Sequence, residues 1–260
     1  MFTAVYLFGS RANPNVKKDK YQDYDVSFVV TETDSFQTDK SWINALGDTD
    51  FVVESERNAK TFFGKDNSRL SRRCVFNFLF SDGNCMDLVL AVKEEAIKDF
   101  EEYQPNIILL DKDNILSGIT VSTDKNYDYA KPNEAVYRAC CSNFWWFLLY
   151  PIKGIARDKI PFAMVSFNTF IKTFLNNMIE WYICIQTNFS VSIGKRERNY
   201  EKYLPEDLYD LYSRTYSRGD YWDVIFATCE LFNKLALAIG THYGFAYNQQ
   251  EEDSNVRRNI

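Results

Sequence analysis

The chain has 260 residues, 46% of them hydrophobic and 17% aromatic, enough apolar material to bury a sizeable core in one large domain or two small ones. It carries 30 basic and 36 acidic side chains, so the surface lacks the basic excess that phosphate-backbone binding needs, and nucleic acid is not an expected substrate. The six cysteines show no CxxC spacing and the single histidine, His242, has no motif around it, which argues against zinc sites, disulfide frameworks and histidine-based nucleophilic catalysis.

No stretch approaches the roughly 18 apolar residues of a membrane span, and the first residues lack the order of a signal peptide. These features predict a cytoplasmic protein with reduced thiols and no membrane partner.

The chain opens in a strand-like run, Thr3 to Phe8, that stops at Gly9-Ser10, where the backbone must turn sharply. A polar stretch from Asn13 to Gln22 follows, and a β-branched and aromatic strand returns at Asp25 to Val30. Ser41 to Leu46 reads as a short helix ended by Gly47, and Phe51 to Val53 as a strand. Cys74 to Phe80 and Cys85 to Ala91, joined through Asp82-Gly83, form the clearest hairpin signal. Glu94 to Tyr103 reads as a helix and Asn106 to Leu110 as a short strand. From Pro132 onward the apolar period changes from two to about 3.6, and helices are expected near 133–150, 161–187, 205–216 and 221–243. The expectation is an α+β protein: a mixed-sheet domain over 1–130 and a helical bundle domain over 131–260.

The chemistry is concentrated in three places. Gly9 and Ser10, followed by Arg11, offer small residues and a turn that can receive a polyphosphate. Asp23 and Asp25 lie two apart at the start of a strand, so both side chains project from one face. Asp87 opens the second strand of the hairpin and can close the site as a third oxygen ligand. A few carboxylates completed by phosphates and water suit magnesium, and two ions about 3.5–4 Å apart could clamp both ends of an in-line displacement.

These residues resemble a known family. Gly9 to Asn15, the segment Tyr21-Gln22-Asp23-Tyr24-Asp25 and the strand Met86-Asp87-Leu88 are similar to the aminoglycoside 6-adenylyltransferases, the streptomycin-modifying branch of the nucleotidyltransferases. The similarity continues through Lys131-Pro132, Cys140-Cys141, Phe144-Trp145, Ile152-Lys153-Gly154 and Ser192 to Lys195. It implies a nucleotidyltransferase domain followed by a helical bundle, with ATP and the acceptor meeting between them. Asp23, Asp25 and Asp87 would be the metal ligands for two Mg2+, and Asp87 would also help deprotonate the acceptor hydroxyl. Gly9, Ser10, Arg11, Lys153 and Lys195 would contact the nucleotide, and Asn143, Trp145 and Asp223 would face the acceptor; Glu180 and Glu230 are further candidate acids for the acceptor site, at positions where relatives do not place one.

Several positions that are acidic in the family are not acidic here: Phe8, Arg138, Ala139 and Asn143. Residues 131–260 hold 15 basic and 14 acidic side chains, a weak field for a polycationic antibiotic. The expected activity is Mg-dependent transfer of AMP from ATP to a hydroxyl of a small acceptor, by a monomer or weak homodimer. Streptomycin-type aminoglycosides are the leading acceptors. The alternatives are a protein or other metabolite as acceptor, or a nucleotide-binding homologue without transfer activity.

Overall fold

The computed structural model describes residues 2–14, 16–55, 71–103, 105–117, 130–191, 193, 197, 199–217 and 219–247. The chain divides into two compact units, residues 1–126 and 127–260.

The first unit is a six-stranded mixed sheet in the order β3-β4-β5-β2-β1-β6. Its strands are β1 (Phe2–Phe8), β2 (Tyr24–Val30), β3 (Thr49–Glu54), β4 (Arg73–Phe80), β5 (Cys85–Val92) and β6 (Ile107–Asp111). Only β2 and β5 pair in parallel; the other neighbours are antiparallel. The hairpin turns at Gly83, whose φ is +84°, as the Asp-Gly signal requires.

Alternation along these strands builds two apolar faces. On one, Ala4, Tyr6, Val29, Val89 and Ala91 pack beneath Ala96 and Phe100 of helix α2 (Lys93–Glu102), with Tyr6 edge-on to Phe100 at 5.0 Å. A half-buried ion pair, Arg73 Nε to Asp99 Oδ2 at 2.6 Å, ties α2 to β4. On the other face Phe76, Phe78, Leu88 and Leu90 pack against Trp42 and Ile43 of a 3-10 segment (Ser41–Leu46), preceded by the short helix α1 (Asp34–Thr38). Each such side chain removed from water contributes about 1.5–3 kcal/mol.

The second unit is helical. It comprises α3 (Glu134–Ala156), α4 (Ile160–Ser166), a π-helical turn (Phe167–Ile171), α5 (Lys172–Gln186), α6 (Tyr200–Tyr203), α7 (Glu206–Arg214) and α8 (Tyr221–Tyr243). Asn133 caps α3 by accepting from Val136 N, and Asp220 caps α8 by accepting from Trp222 N. The core joins α3 to α8 through Phe144 and Phe232, whose rings stack with centroids 3.6 Å apart.

Three sequence expectations change here. The first helix does not stop at residue 150 but continues through Pro151 to Ala156. Tertiary packing outweighs the lost N–H: Ile152 is fully buried, and a Cβ on Gly154 would come within 2.8 Å of Ala163 Cβ, so α3 and α4 cross in close contact. The expected helix 161–187 is divided by the π turn, which holds the buried Phe167 and Ile171. Finally, α8 has the length and mean hydropathy (23 residues, 1.4) of a membrane span, although no such stretch was expected from the sequence. In the fold it is a core helix, burying Ile225, Leu231, Phe232, Leu235 and Ile239.

A polar cluster lies within this unit. Lys172, only 6% exposed, donates from Nζ to Thr215 Oγ1 and lies 3.2 Å from the ring centroid of Tyr216. Burial pushes its pKa down to about 7, against the partial support of the Glu197 charge. Glu197, at φ +65°, accepts hydrogen bonds from the Asn176 amide and the Tyr212 and Tyr216 hydroxyls. Burial alone would raise its pKa, but these donors outweigh it and hold the carboxyl below its ordinary value.

Candidate active site

The sheet register brings the key residues together. Asp25 on β2 is the parallel partner of Asp87 on β5, and Phe8 at the end of β1 is the antiparallel partner of Asp25. Directly paired residues project from the same face, so Asp25 and Asp87 stand side by side. They share the face that carries Ser27, Val29, Val89 and Ala91. Further along the strands that face is sealed under α2; at Asp25 and Asp87 it is only half-buried. Asp23 precedes the first residue of β2 and is exposed, a slight shift from the expected strand position.

Gly9 follows β1 at once and turns the chain with φ +71°. A Cβ at Gly9 would fall 2.2 Å from Asp25 Oδ2, so no larger residue fits against that carboxylate. Gly9 to Arg11 forms one 3-10 turn, with half-buried Ser10 at its centre.

Two cations brace this loop through its backbone. Arg11 donates from Nε to the Gln22 and Asp23 carbonyls, both at 3.1 Å, and from Nη2 to Gln22 O at 2.7 Å. Its guanidinium lies 3.7 Å above the Tyr24 ring centroid. Arg11 was expected at the nucleotide, but here its donors hold the segment that delivers Asp23 and Asp25. Lys18, an exposed residue not singled out from the sequence, donates from Nζ to the carbonyls of Ser10, Arg11 and Asn13.

Asn77 is a second residue that sequence reasoning missed. It is the antiparallel partner of Asp87, and its Nδ2 donates to Asp87 Oδ1. The signal was present: an amide inside the apolar strand Cys74 to Phe80, opposite Asp87 when the hairpin is folded at Asp82-Gly83.

Among the described residues, no group of three or more His, Cys, Asp or Glu side chains is gathered closely enough to hold a metal unaided. The donor set nevertheless fits a hard divalent cation: only carboxylate oxygens, two of them on register partners, with the remaining positions left to phosphate and water.

The candidate acceptor and nucleotide residues of the helical unit are dispersed over its elements. Asn143 is exposed on α3, Glu180 half-buried on α5 and Asp223 exposed in the first turn of α8, where a carboxylate suits the helix dipole. Glu180 accepts from Tyr200 OH at 3.2 Å, and burial raises its pKa. Trp145 does not reach the surface. It is 5% exposed, edge-on to Phe144 and Phe232, with its Nε1 donating to Tyr247 OH at 3.3 Å. Its neighbour Trp146 is the exposed indole of this turn, because consecutive helical residues lie about 100° apart. Lys153 is exposed in the last part of α3. Lys195 lies outside the described residues.

The family model described as Streptomycin adenylyltransferase matches residues 2–259. The chain belongs to the streptomycin adenylyltransferase family. It is similar to an aminoglycoside 6-adenylyltransferase of Staphylococcus aureus, 32% identical over 260 residues, covering 98% of this chain and 90% of the relative. It is likewise similar to an aminoglycoside 6-adenylyltransferase of Bacillus subtilis strain 168, 30% identical over 262 residues, covering 98% of this chain and 88% of the relative. A crystal structure of an aminoglycoside 6-adenyltransferase from Bacillus subtilis aligns with a TM-score of 0.48 and 27% identity, covering 99% of this chain and 90% of the solved one. The chain is thus an O-nucleotidyltransferase of this adenylyltransferase family.

Proposed function

We propose that this family member transfers AMP from ATP to a hydroxyl of an aminoglycoside, with streptomycin-type compounds as the acceptor class and Mg2+ as the metal. The observation that carries the reading is the register pair Asp25 and Asp87, with Gly9 closed against Asp25 and Asp23 two residues away. Asp23, Asp25 and Asp87 would hold two Mg2+, which when bound supply Lewis-acid charge neutralisation at the phosphates.

The protein's own part is positioning. The Gly9–Arg11 turn brings small residues and backbone amides to the nucleotide phosphates, and the carboxylates would act by holding the metal that the phosphates share. Asp87 is the proposed proton acceptor for the attacking hydroxyl. Its Oδ1 accepts from Asn77, which fixes the carboxylate and would leave Oδ2 to the metal and the hydroxyl. Residues 1–130 would form the catalytic domain and 131–260 the acceptor-binding domain, with Lys153 and Lys195 toward the nucleotide and Asn143, Glu180 and Asp223 toward the acceptor.

The test is incubation of the full chain with α-labelled ATP, magnesium and a panel of aminoglycosides. The expected result is labelled drug together with pyrophosphate, and neither product from Asp25→Asn. Transfer by Asp25→Asn at the wild-type rate, or no labelled aminoglycoside from the wild type, would overturn the proposal.

A further inference from the structure

The loop between β1 and β2 is held by a cation that the chemistry above does not use. Lys18 Nζ lies 3.2 Å from Ser10 O and 3.3 Å from Asn13 O, and it also donates to Arg11 O. One ammonium, with three donors, thus lies within hydrogen-bonding distance of three backbone carbonyls of a single loop. The Ser10 carbonyl receives a second donor, Gln22 Nε2 at 3.4 Å. Gln22 is in turn tied by its own carbonyl to Arg11.

The orientation of these carbonyls has a consequence for the amides. In a planar trans peptide, the C=O of one residue and the N–H of the next point in opposite directions. Drawing the Ser10 carbonyl toward Lys18 and Gln22 therefore directs the Arg11 N–H away from them. The Arg11 carbonyl is fixed in the same way, and the following N–H, that of Ala12, is already donated to Gly9 O at 3.2 Å. The turn is thus locked in one arrangement of its peptide planes, with Gly9 at one end packed on Asp25.

We propose that Lys18 is a positioning residue for the nucleotide: by gathering the carbonyls of Ser10, Arg11 and Asn13 behind the turn, it fixes the Gly9–Asn13 loop in the form that receives the ATP phosphates. This inference rests on the reading of the site as an ATP-dependent transferase. It assigns Lys18 a role different from direct phosphate contact. A phosphate can be met by an ammonium or by the guanidinium fork, each in its own geometry, whereas three carbonyls converging on one nitrogen match the compact ammonium, whose donors diverge from a single atom.

Two variants separate these roles. In Lys18→Met the brace is gone; the dissociation constant for a non-hydrolysable magnesium-ATP analogue should rise about tenfold, and kcat should fall with it as the loop samples other peptide orientations. The KM for the acceptor should stay within twofold of wild type, and the melting temperature should not move, because Lys18 is exposed. Lys18→Arg keeps the charge but not the geometry, and should resemble Lys18→Met. Recovery of nucleotide affinity in Lys18→Arg would overturn the proposal in favour of direct phosphate contact. An unchanged dissociation constant in Lys18→Met, or a parallel loss of acceptor affinity and melting temperature, would also overturn it. Failure of the underlying reading looks different: there the wild type itself binds no magnesium-ATP, whatever occupies residue 18.

Discussion

Asn77 donates its side-chain amide to Oδ1 of Asp87, its direct cross-strand partner in the hairpin. This contact engages one oxygen of the proposed proton acceptor and orients the other. Asn77→Ala should lower kcat about tenfold, the scale of losing one orienting hydrogen bond of about 1–1.5 kcal/mol, with little change in the KM for ATP. Asn77→Asp should do more, because it replaces the donor by a second carboxylate in contact with Asp87 and sets like charges side by side. Wild-type kcat in both variants would remove the Asn77 contact from the catalytic role.

Gly9 is the position with no substitute. An alanine there would have to keep φ near +71° and place its methyl 2.2 Å from Asp25 Oδ2. The backbone term alone costs about 1–2 kcal/mol, and the clash displaces Asp25. Gly9→Ala should therefore lose transfer by at least a hundredfold while the sheet, whose core lies away from Gly9, keeps its circular dichroism spectrum. Wild-type turnover in this variant would mean that Asp25 is free to move without consequence.

Replacing Asp23 or Asp25 by Asn should reduce kcat by about a thousandfold or more, equivalent to about 4 kcal/mol of barrier, with the melting temperature preserved. Both lie at the exposed or half-buried margin of the sheet and not in its core. Chelation with EDTA should abolish wild-type transfer, and added magnesium should restore it. Activity that survives both chelation and Asp25→Asn would end the metal assignment.

The elements that carry the site were legible in the sequence because each is marked by local chemistry. Val26 to Val30 and Cys74 to Phe80 show β-branched and aromatic content, Gly9 and Gly83 mark the turns, and the Asp-Gly pair sets the hairpin register that places Asp87. What escaped depends on tertiary contacts. Lys18 looks like one of several solvated lysines until its three carbonyls are seen, and the hold of Arg11 on Gln22, Asp23 and Tyr24 likewise shows only in the fold. Trp145 and Trp146 cannot be told apart by composition; the helix phase that buries one and exposes the other is fixed by Phe232. Pro151 is a local stop signal overruled by the packing of Ile152 and Gly154.

Lys172 makes stability depend on pH in a definite direction. Its folded pKa is lowered to about 7 from 10.5, chiefly by burial, so between these values the unfolded chain binds the extra proton. Stability should rise with pH across this window, by up to about 1.4 kcal/mol per pH unit from this one group. Chemical denaturation between pH 7 and 9.5, below the range where exposed tyrosines titrate, is the measurement. Lys172→Met should flatten the slope whatever its effect on absolute stability. A slope that persists unchanged in the variant would assign it to other groups.

The acceptor prediction follows from the exposed face of α3. Ala139 and Asn143 are four residues apart and both exposed, so they share one side of the helix. Arg138 beside them is paired with Glu134, Nη2 to Oε1 at 2.8 Å, which engages the acidic side chain one turn before it. A polycationic acceptor reaching this face meets no carboxylate at residues 138, 139 or 143. Each charge-assisted hydrogen bond contributes about 1.5–3 kcal/mol, so two that are missing correspond to at least about a hundredfold in affinity. Streptomycin should therefore be adenylylated by the wild type with a high KM, and the double substitution Ala139→Asp with Asn143→Glu should lower that KM at saturating magnesium-ATP. Because both positions are exposed, the melting temperature should hold. If the wild type turns streptomycin over with micromolar affinity, or if the double variant gains nothing, this face of α3 is not where the acceptor's cationic groups are read.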